Sequence, residues 1–164
     1  MTMDYYQNLI NHHIAFERLG HPAVWHMADA EKLDLDCLVV KSLLLCDHRS
    51  GRNYLLLCAP AEKVAFGVLA KALQTSRSQL KFATAAELQS TLHTVSGMVS
   101  PLILEPHAAV TVIISTQLRN QERLGMHAGT NTETVVLSYQ SLLTFLRVMQ
   151  IEWQVFALAG LAQG

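Results

Sequence analysis

The sequence contains little charge and no excess of either sign. Charged residues make up 15% of the 164 residues, and 12 Lys and Arg stand against 13 Asp and Glu, so the net charge is −1. A protein that follows a long nucleic-acid backbone normally carries a basic stripe, because release of counterions supplies most of that binding. Any contact with a nucleic acid is therefore expected to be small and local. An enzyme that holds only the end of a nucleic acid remains possible.

Long apolar runs and paired cysteines are also missing. No uncharged apolar stretch reaches the 18 or so residues of a membrane span, and the nearest candidate, 142–161, is interrupted by charged and polar residues. The first eight residues lack the basic region and apolar run of a secretory signal. The three cysteines, Cys37, Cys46 and Cys58, are widely spaced in apolar segments, which favours reduced core thiols. We expect a soluble, cytoplasmic protein with no membrane contact.

Several motifs of cofactor and metal chemistry are absent from the sequence. The eight histidines show no HExxH spacing and have no cysteine pair nearby, so a zinc site is not expected. The sequence has no P-loop, no G-x-G-x-x-G and no G-x-S-x-G. Nucleotide hydrolysis, hydride transfer and a nucleophile-elbow hydrolase therefore have no support.

Helices and strands alternate irregularly along the predicted structure. With 51% hydrophobic residues the chain is long enough for one domain with its own core. Apolar periodicity predicts helices over 4–19, 28–33, 62–74, 84–93 and 139–149. Extended, β-rich segments predict strands over 37–46, 53–58, 102–105, 110–115 and 133–138. This irregular order favours the α+β class with a mixed sheet.

A single lysine, Lys41, interrupts the apolar segment 39–45. Side chains alternate along a strand, so Lys41 shares its row with Leu43 and Leu45. An ammonium among aliphatic side chains is costly unless an anion or a polar cavity meets it, and such exceptions concentrate at functional sites. The alternative is that Lys41 protects a sheet edge from aggregation.

Two further clusters lie downstream. In the 97–101 loop, glycine would let backbone N–H groups approach a ligand while proline fixes the loop, although the same residues commonly end a helix. His127 comes shortly before the polar run 131–134. A lone histidine is usually a hydrogen-bonded surface or core residue, and Asn-Thr before a strand is usually a turn. Neither His127 nor the 131–134 run would be singled out without the other.

In this order, the residues resemble the YbaK/ProX family of aminoacyl-tRNA deacylases, which is related to the editing domain of bacterial prolyl-tRNA synthetases. The resemblance rests on His21-Pro22-Ala23-Val24, Lys41-Ser42-Leu43-Leu44-Leu45, Gly97-Met98-Val99-Ser100-Pro101-Leu102, His127 and Asn131-Thr132-Glu133-Thr134. It implies one editing domain over 1–164, with a mixed, strongly twisted central β-sheet flanked by helices. Residues 150–164 would then be a C-terminal extension, expected to pack on its own domain or to form a homodimer contact.

The resemblance also implies a site. Its catalytic residues would be Lys41, Gly97 and His127, and its substrate-binding residues Ser42, Met98, Val99, Ser100, Pro101, Asn131, Thr132 and Thr134. Alanine-type editors of the family usually have Asn after the lysine and Pro after the histidine, where this chain has Ser42 and Ala128. These departures leave the edited amino acid open.

The implied function is trans-editing: hydrolysis of the ester of mischarged tRNA(Pro), with alanine or another small amino acid favoured. The alternatives are a Cys-tRNA(Pro) deacylase and a non-catalytic module that binds a tRNA end or a synthetase. The implied partners are the acceptor end of an aminoacylated tRNA and prolyl-tRNA synthetase, with no cofactor and no metal. The protein would be a monomer or a homodimer.

Overall fold

The computed structural model describes residues 6–25, 35–130 and 132–158. Its helices are α1 Gln7–Asn11, α2 Phe66–Ala72, α3 Ala85–Leu92 and α4 Tyr139–Val148. Its strands are β1 Glu17–Gly20, β2 Leu38–Val39, β3 Lys41–Asp47, β4 Asn53–Cys58, β5 Leu80–Phe82, β6 Val110–Ser115, β7 Leu124–His127, β8 Glu133–Leu137 and β9 Trp153–Phe156. The helix predicted over 28–33 and the predicted site residue Asn131 lie outside the described residues.

The strands form two mixed sheets. The first has the order β1-β8-β7-β2, with β2 parallel to β7 and antiparallel pairing elsewhere. The second has the order β5-β3-β4-β6-β9, in which β4, β6 and β9 run parallel. Only Val40 separates β2 from β3, and its N–H donates to the Gly125 carbonyl at 2.8 Å. The α+β class with mixed pairing is confirmed, and the chain passes from one sheet to the other next to Lys41.

The core is divided by the five-stranded sheet. The larger cluster packs one face of that sheet against the four-stranded sheet, α3 and α4, with Phe145 and Leu124 fully buried at its centre. The smaller cluster lies on the opposite face, where Leu45 and Ile113 pack against Leu69 of α2. No helix in the described parts of the chain is long and apolar enough to cross a membrane.

The strands β3 and β4 form a hairpin whose turn is organised by a buried carboxylate. Asp47 accepts hydrogen bonds from the Arg49 backbone N–H at 3.0 Å, the Ser50 hydroxyl at 2.6 Å and the Thr75 hydroxyl at 2.8 Å. Burial alone would raise the pKa of Asp47, but these hydrogen bonds hold the pKa below its usual value. Asp47 therefore stays charged at physiological pH and holds the turn through these hydrogen bonds.

Two sequence predictions were wrong. The helix predicted over 4–19 ends at Asn11, followed by His13 at a φ of 56°, and Glu17–Gly20 instead pairs antiparallel with β8. The predicted strand 102–105 begins as a 3-10 helix, Pro101–Ile103, because the Ser100 hydroxyl caps it by accepting from the Leu102 N–H. Pairing with a distant strand overrides the apolar periodicity in the first segment, and a local cap overrides the predicted strand in the second.

The three other predicted helices that fall within the described residues are present. Thr84 and Glu87 form the expected capping box of α3. The helix predicted over 62–74 is shorter, because α2 begins only at Phe66. At the C-terminus, β9 pairs with β6, and the Ala65 N–H donates to the Leu158 carbonyl at 2.7 Å. Residues 151–158 thus pack on their own domain.

Candidate functional site

A small cavity of about 80 Å³ lies against the four-stranded sheet. Its lining combines aliphatic residues from β2 and the segments before it with polar residues from β7 and β8. The lining residues are His21, Val24, Leu35, Val39, Val40, Gly125, Met126, His127, Thr130, Glu133 and Thr134. A concave apolar pocket with a few convergent polar groups is the usual form of a small-molecule site.

The pairing of β7 with β8 brings two predicted site residues together. His127 and Thr134 are directly opposite partners in the antiparallel ladder, so their side chains project from the same face of the sheet. Both line the cavity. A shift of β8 by one residue would turn Thr134 away from it, because side chains alternate along a strand.

His127 is held largely away from water. Its Nδ1 is buried and has no hydrogen-bond partner among the described residues. Burial disfavours the imidazolium and lowers the pKa of His127, and the neighbouring His21 lowers it further. The ring is therefore neutral at physiological pH, with one nitrogen available to a ligand.

His21 is a site residue for which the sequence interpretation assigned no role. Its Nε2 lies 2.8 Å from the Thr134 hydroxyl and its Nδ1 lies 2.9 Å from the Pro22 carbonyl. Its backbone N–H donates to the Thr132 carbonyl at 2.9 Å, which continues the pairing of β1 with β8 beyond Gly20. The signal that could have found it is its place in a segment that carries the family resemblance. Because the sequence wrongly predicted a helix over 4–19, it gave no indication of β1, the strand that places His21 at the cavity.

The rim of the cavity carries a salt bridge. Arg18 on β1 donates to Glu133 on β8 at 3.0 Å, and its guanidinium lies 4.0 Å from the ring centre of Tyr6. Beside it, the Thr130 hydroxyl accepts from the Thr132 N–H at 2.9 Å. The predicted site residue Thr132 is itself exposed, and its contact here is the hydrogen bond to Thr130 within the turn.

Lys41 begins β3 directly after Val40, which lines the cavity. Its register partner is Cys58, and their neighbour Glu62 accepts hydrogen bonds from the Ala59 N–H and the Ser115 hydroxyl. Burial, and to a smaller extent Glu62, raise the pKa of the Cys58 thiol to about 11, and Lys41 opposes this rise. Within the described residues the Lys41 ammonium forms no ion pair. It is a half-buried cation at the end of the five-stranded sheet where β4 and β6 terminate.

The 97–101 loop leads into the 3-10 helix. Gly97 has a φ of 87°, in the left-handed region that favours glycine. Val99, Ser100 and Pro101 are buried, with Val99 in the larger core cluster, while Met98 is half-buried. Among the described residues, those lining the cavity include neither this loop nor Lys41 or Ser42. A pocket shared by Lys41, the loop and His127 stays a prediction.

An open groove of about 770 Å³ adjoins the cavity. Leu35 and Val39 line both, so β2 forms the wall between them. The far side of the groove is the segment Asn120–Arg123, where Arg123 donates to Glu17 at 2.8 Å. In the described parts of the chain, no group of three or more His, Cys, Asp and Glu side chains is placed to hold a metal ion.

The chain matches known proteins over most of its length. The family model described as the aminoacyl-tRNA editing domain matches residues 25–145. The prolyl-tRNA editing protein ProX of Acetoanaerobium sticklandii is 29% identical over 133 residues, which cover 79% of this chain and 80% of that protein.

Two solved structures show the same fold. One is described as a candidate trans-editing enzyme for prolyl tRNA synthetase, with a TM-score of 0.66, 18% identity and coverage of 97% of this chain and 94% of that one. The other comes from work on epitope grafting onto scaffold proteins, with a TM-score of 0.71, 17% identity and coverage of 98% and 95%.

Proposed function

Because this chain belongs to the aminoacyl-tRNA editing domain family, we propose that it is a trans-editing deacylase that hydrolyses the ester of mischarged tRNA(Pro). The observation that carries the proposal is the family match over 25–145, which spans Lys41, the 97–101 loop and the 127–134 segment. The tRNA assignment draws on the relative from Acetoanaerobium sticklandii, which is named for prolyl-tRNA editing.

The residues suit the chemistry of ester hydrolysis. An aminoacyl ester is already activated, so the reaction chiefly needs positioning, a water and stabilisation of the developing oxyanion. Lys41, a cation without an ion-pair partner among the described residues, would neutralise the terminal phosphate or polarise the carbonyl. The backbone at Gly97 would supply N–H donors, and neutral His127 would contact the aminoacyl group.

The size of the cavity favours a small amino acid. Its volume of about 80 Å³ compares with the roughly 30 Å³ that one water occupies in the liquid. A cavity of this size suits the side chain of alanine, cysteine or serine better than a proline ring or a larger side chain. We propose alanine as the substrate and cysteine as the alternative. Such an enzyme is needed because a synthetase pocket separates side chains that differ by one methylene by only about 1–3 kcal/mol.

The remaining parts of the proposal concern partners and organisation. The partner would be the acceptor end of an aminoacylated tRNA, with prolyl-tRNA synthetase as a further partner in the cytoplasm. Residues 1–164 would form one editing domain with 150–164 as its extension. A net charge of −1 agrees with a contact limited to the tRNA end.

The test is a single-turnover deacylation panel with tRNA(Pro) charged in turn with alanine, cysteine, serine and proline. The proposal expects hydrolysis of the alanyl ester well above the uncatalysed rate and no hydrolysis of the prolyl ester. Faster hydrolysis of the cysteinyl ester would identify the Cys-tRNA(Pro) deacylase. Tight binding of the charged tRNA end without hydrolysis of any ester would identify the non-catalytic module.

A further inference from the structure

The contacts of His21 fix its tautomer. Nδ1 lies 2.9 Å from the Pro22 carbonyl oxygen, which can only accept, so Nδ1 carries a proton and donates. In the neutral ring Nε2 then has a lone pair and accepts from the Thr134 hydroxyl at 2.8 Å. The hydroxyl proton of Thr134 is thereby committed to His21. Its oxygen is left as a hydrogen-bond acceptor at the cavity.

The other polar groups of the lining add acceptors. Glu133 is a carboxylate, and both hydrogen bonds from Arg18 end on its Oε1. His127 Nδ1 is buried without a partner among the described residues, and it accepts in one neutral tautomer and donates in the other. The hydroxyls of Thr130 and Thr132 lie 2.8 Å apart, and either of them can donate to the other. Among the described lining residues the cavity therefore offers the Thr134 hydroxyl and the Glu133 carboxylate as acceptors, and none of these described residues is a lysine or an arginine.

We propose that the Thr134 hydroxyl accepts a hydrogen bond from the α-ammonium group of the aminoacyl ligand, and that His21 is the positioning residue that orients this hydroxyl. The inference rests on the proposed function, from which it takes its ligand. An ammonium brings three donors and no acceptor, so it matches a lining whose free groups accept. Hydrogen bonds from a charged donor are also shorter and about twice as strong as neutral ones.

The electrostatics of the cavity agree with this ligand group. The pKa of His127 is lowered chiefly by burial, so the imidazole is neutral and adds no positive charge that would repel an ammonium. Glu133 adds a carboxylate to the lining, where it is paired with Arg18 of the rim. A ribose hydroxyl both donates and accepts. Unlike an ammonium, it would therefore not require Thr134 to act as an acceptor.

The experiment compares two non-hydrolysable probes by calorimetry. The first is 3′-alanylamino-3′-deoxyadenosine, and the second is its 3′-propionylamino counterpart, which lacks only the ammonium. We expect the wild type to prefer the first by roughly tenfold or more, as the loss of one hydrogen bond to a charged group implies. Thr134→Val and His21→Leu should lose this preference, whereas Thr134→Ser and His21→Gln should keep most of it, since each retains the hydrogen-bonding group.

Two control substitutions match these changes outside the site. Thr144→Val removes a hydroxyl that bonds to the Gln140 carbonyl on α4, and His12→Leu removes an exposed imidazole. Both should leave the preference unchanged, with thermal unfolding to verify each fold. Equal binding of the two probes by the wild type, or no binding of either, would overturn the inference. So would an equal loss for both probes in Thr134→Val and His21→Leu, because that result indicates a structural role or a ribose contact.

The probes also separate this inference from the proposed function. Binding does not require hydrolysis, so a protein that cleaves no ester of the panel but prefers the alanyl probe refutes the deacylase and supports the role of Thr134. A protein that hydrolyses Ala-tRNA(Pro) but binds both probes equally refutes the inference alone.

Discussion

A β-carbon placed on Gly125 would lie 2.8 Å from the Sγ of Cys37, closer than real β-carbons come to other atoms. The same carbon would lie 3.1 Å from Cγ2 of Thr134. Gly125 is on β7, between β8 and β2 in the four-stranded sheet. The missing side chain therefore lets Cys37 and Thr134 approach across the central strand, beside the cavity.

Gly125→Ala should reduce both stability and ligand binding. The added methyl must displace Cys37 or Thr134, and overpacking of this kind costs about 1–3 kcal/mol. Displacement of Thr134 would also disturb its hydrogen bond to His21. Urea unfolding measures the first effect and calorimetry with the alanyl probe the second.

Two comparisons make the Gly125 prediction specific. Gly20→Ala on β1 is the matched control, since nothing lies within 4 Å of its added β-carbon. Combining Gly125→Ala with Cys37→Ala removes the closest atom, so the double variant should recover part of the lost stability. Unchanged stability of Gly125→Ala would mean that the strands next to Gly125 move apart for the added methyl group without a loss of folding free energy.

Some of the fold could be predicted because its signals are local. The capping box at Thr84 needs only two residues three positions apart in a single turn, and the polar turn with Gly51 between two apolar segments predicts the β3–β4 hairpin. The strand β1 could not be predicted in this way. Its residues fit a helical period, and it becomes a strand only because β8, more than a hundred residues later, pairs with it.

The site residues also differ in whether the sequence could predict them. His127 and Thr134 could be predicted from the family resemblance, and the antiparallel register of β7 and β8 places them side by side. His21 could not be assigned a role, because its function depends on a hydrogen bond to a residue 113 positions away. Its contact with Thr134 exists only after β1 has paired with β8.

Lys41→Ala should abolish hydrolysis of Ala-tRNA(Pro) while the fold stays intact. Removal of a half-buried ammonium that has no ion-pair partner in the described structure should not weaken the core. Lys81→Ala, an exposed lysine on β5 of the same sheet, is the matched control. Single-turnover hydrolysis and thermal unfolding are measured on both variants. Wild-type activity in Lys41→Ala would mean that the lysine only protects a sheet edge.

Gly97→Val should damage activity through the backbone. Gly97 has a φ of 87°, which a β-branched residue adopts poorly, and nothing lies within 4 Å of an added β-carbon. Strain of the backbone, and not a steric clash, is therefore the expected cause. Gly97→Asn should be milder, because asparagine tolerates the left-handed region. Equal effects of the two substitutions on the deacylation rate would argue against this cause.

His127 should make folding stability dependent on pH. Burial lowers its pKa in the folded protein below the ordinary 6.5, so below that pH the unfolded chain binds more protons. The contribution of His127 is fully present above about pH 6.5 and is lost as the pH falls through the folded-state pKa. Urea unfolding between about pH 7.5 and pH 5 should show a steeper loss in the wild type than in His127→Gln. Parallel curves would mean that the imidazole protonates without cost.

The C-terminal strand should stabilise its own domain. Leu158 is 2% exposed and packs in the smaller core cluster, and its carbonyl accepts from the Ala65 N–H ahead of α2. Leu158→Ala should therefore lower the free energy of unfolding by about 2–5 kcal/mol, as for other buried leucines. Urea unfolding measures this loss.

Deletion of 151–164 should have a larger effect than Leu158→Ala, because it also uncovers the edge of β6. An exposed strand edge next to an uncovered apolar surface promotes association between chains. We expect the truncated protein to be less soluble and to aggregate, whereas Leu158→Ala keeps the sedimentation behaviour of the full chain. Truncation that leaves solubility, stability and sedimentation unchanged would refute a structural role for the segment. Dissociation of a wild-type dimer by the truncation would instead assign the segment to a homodimer contact.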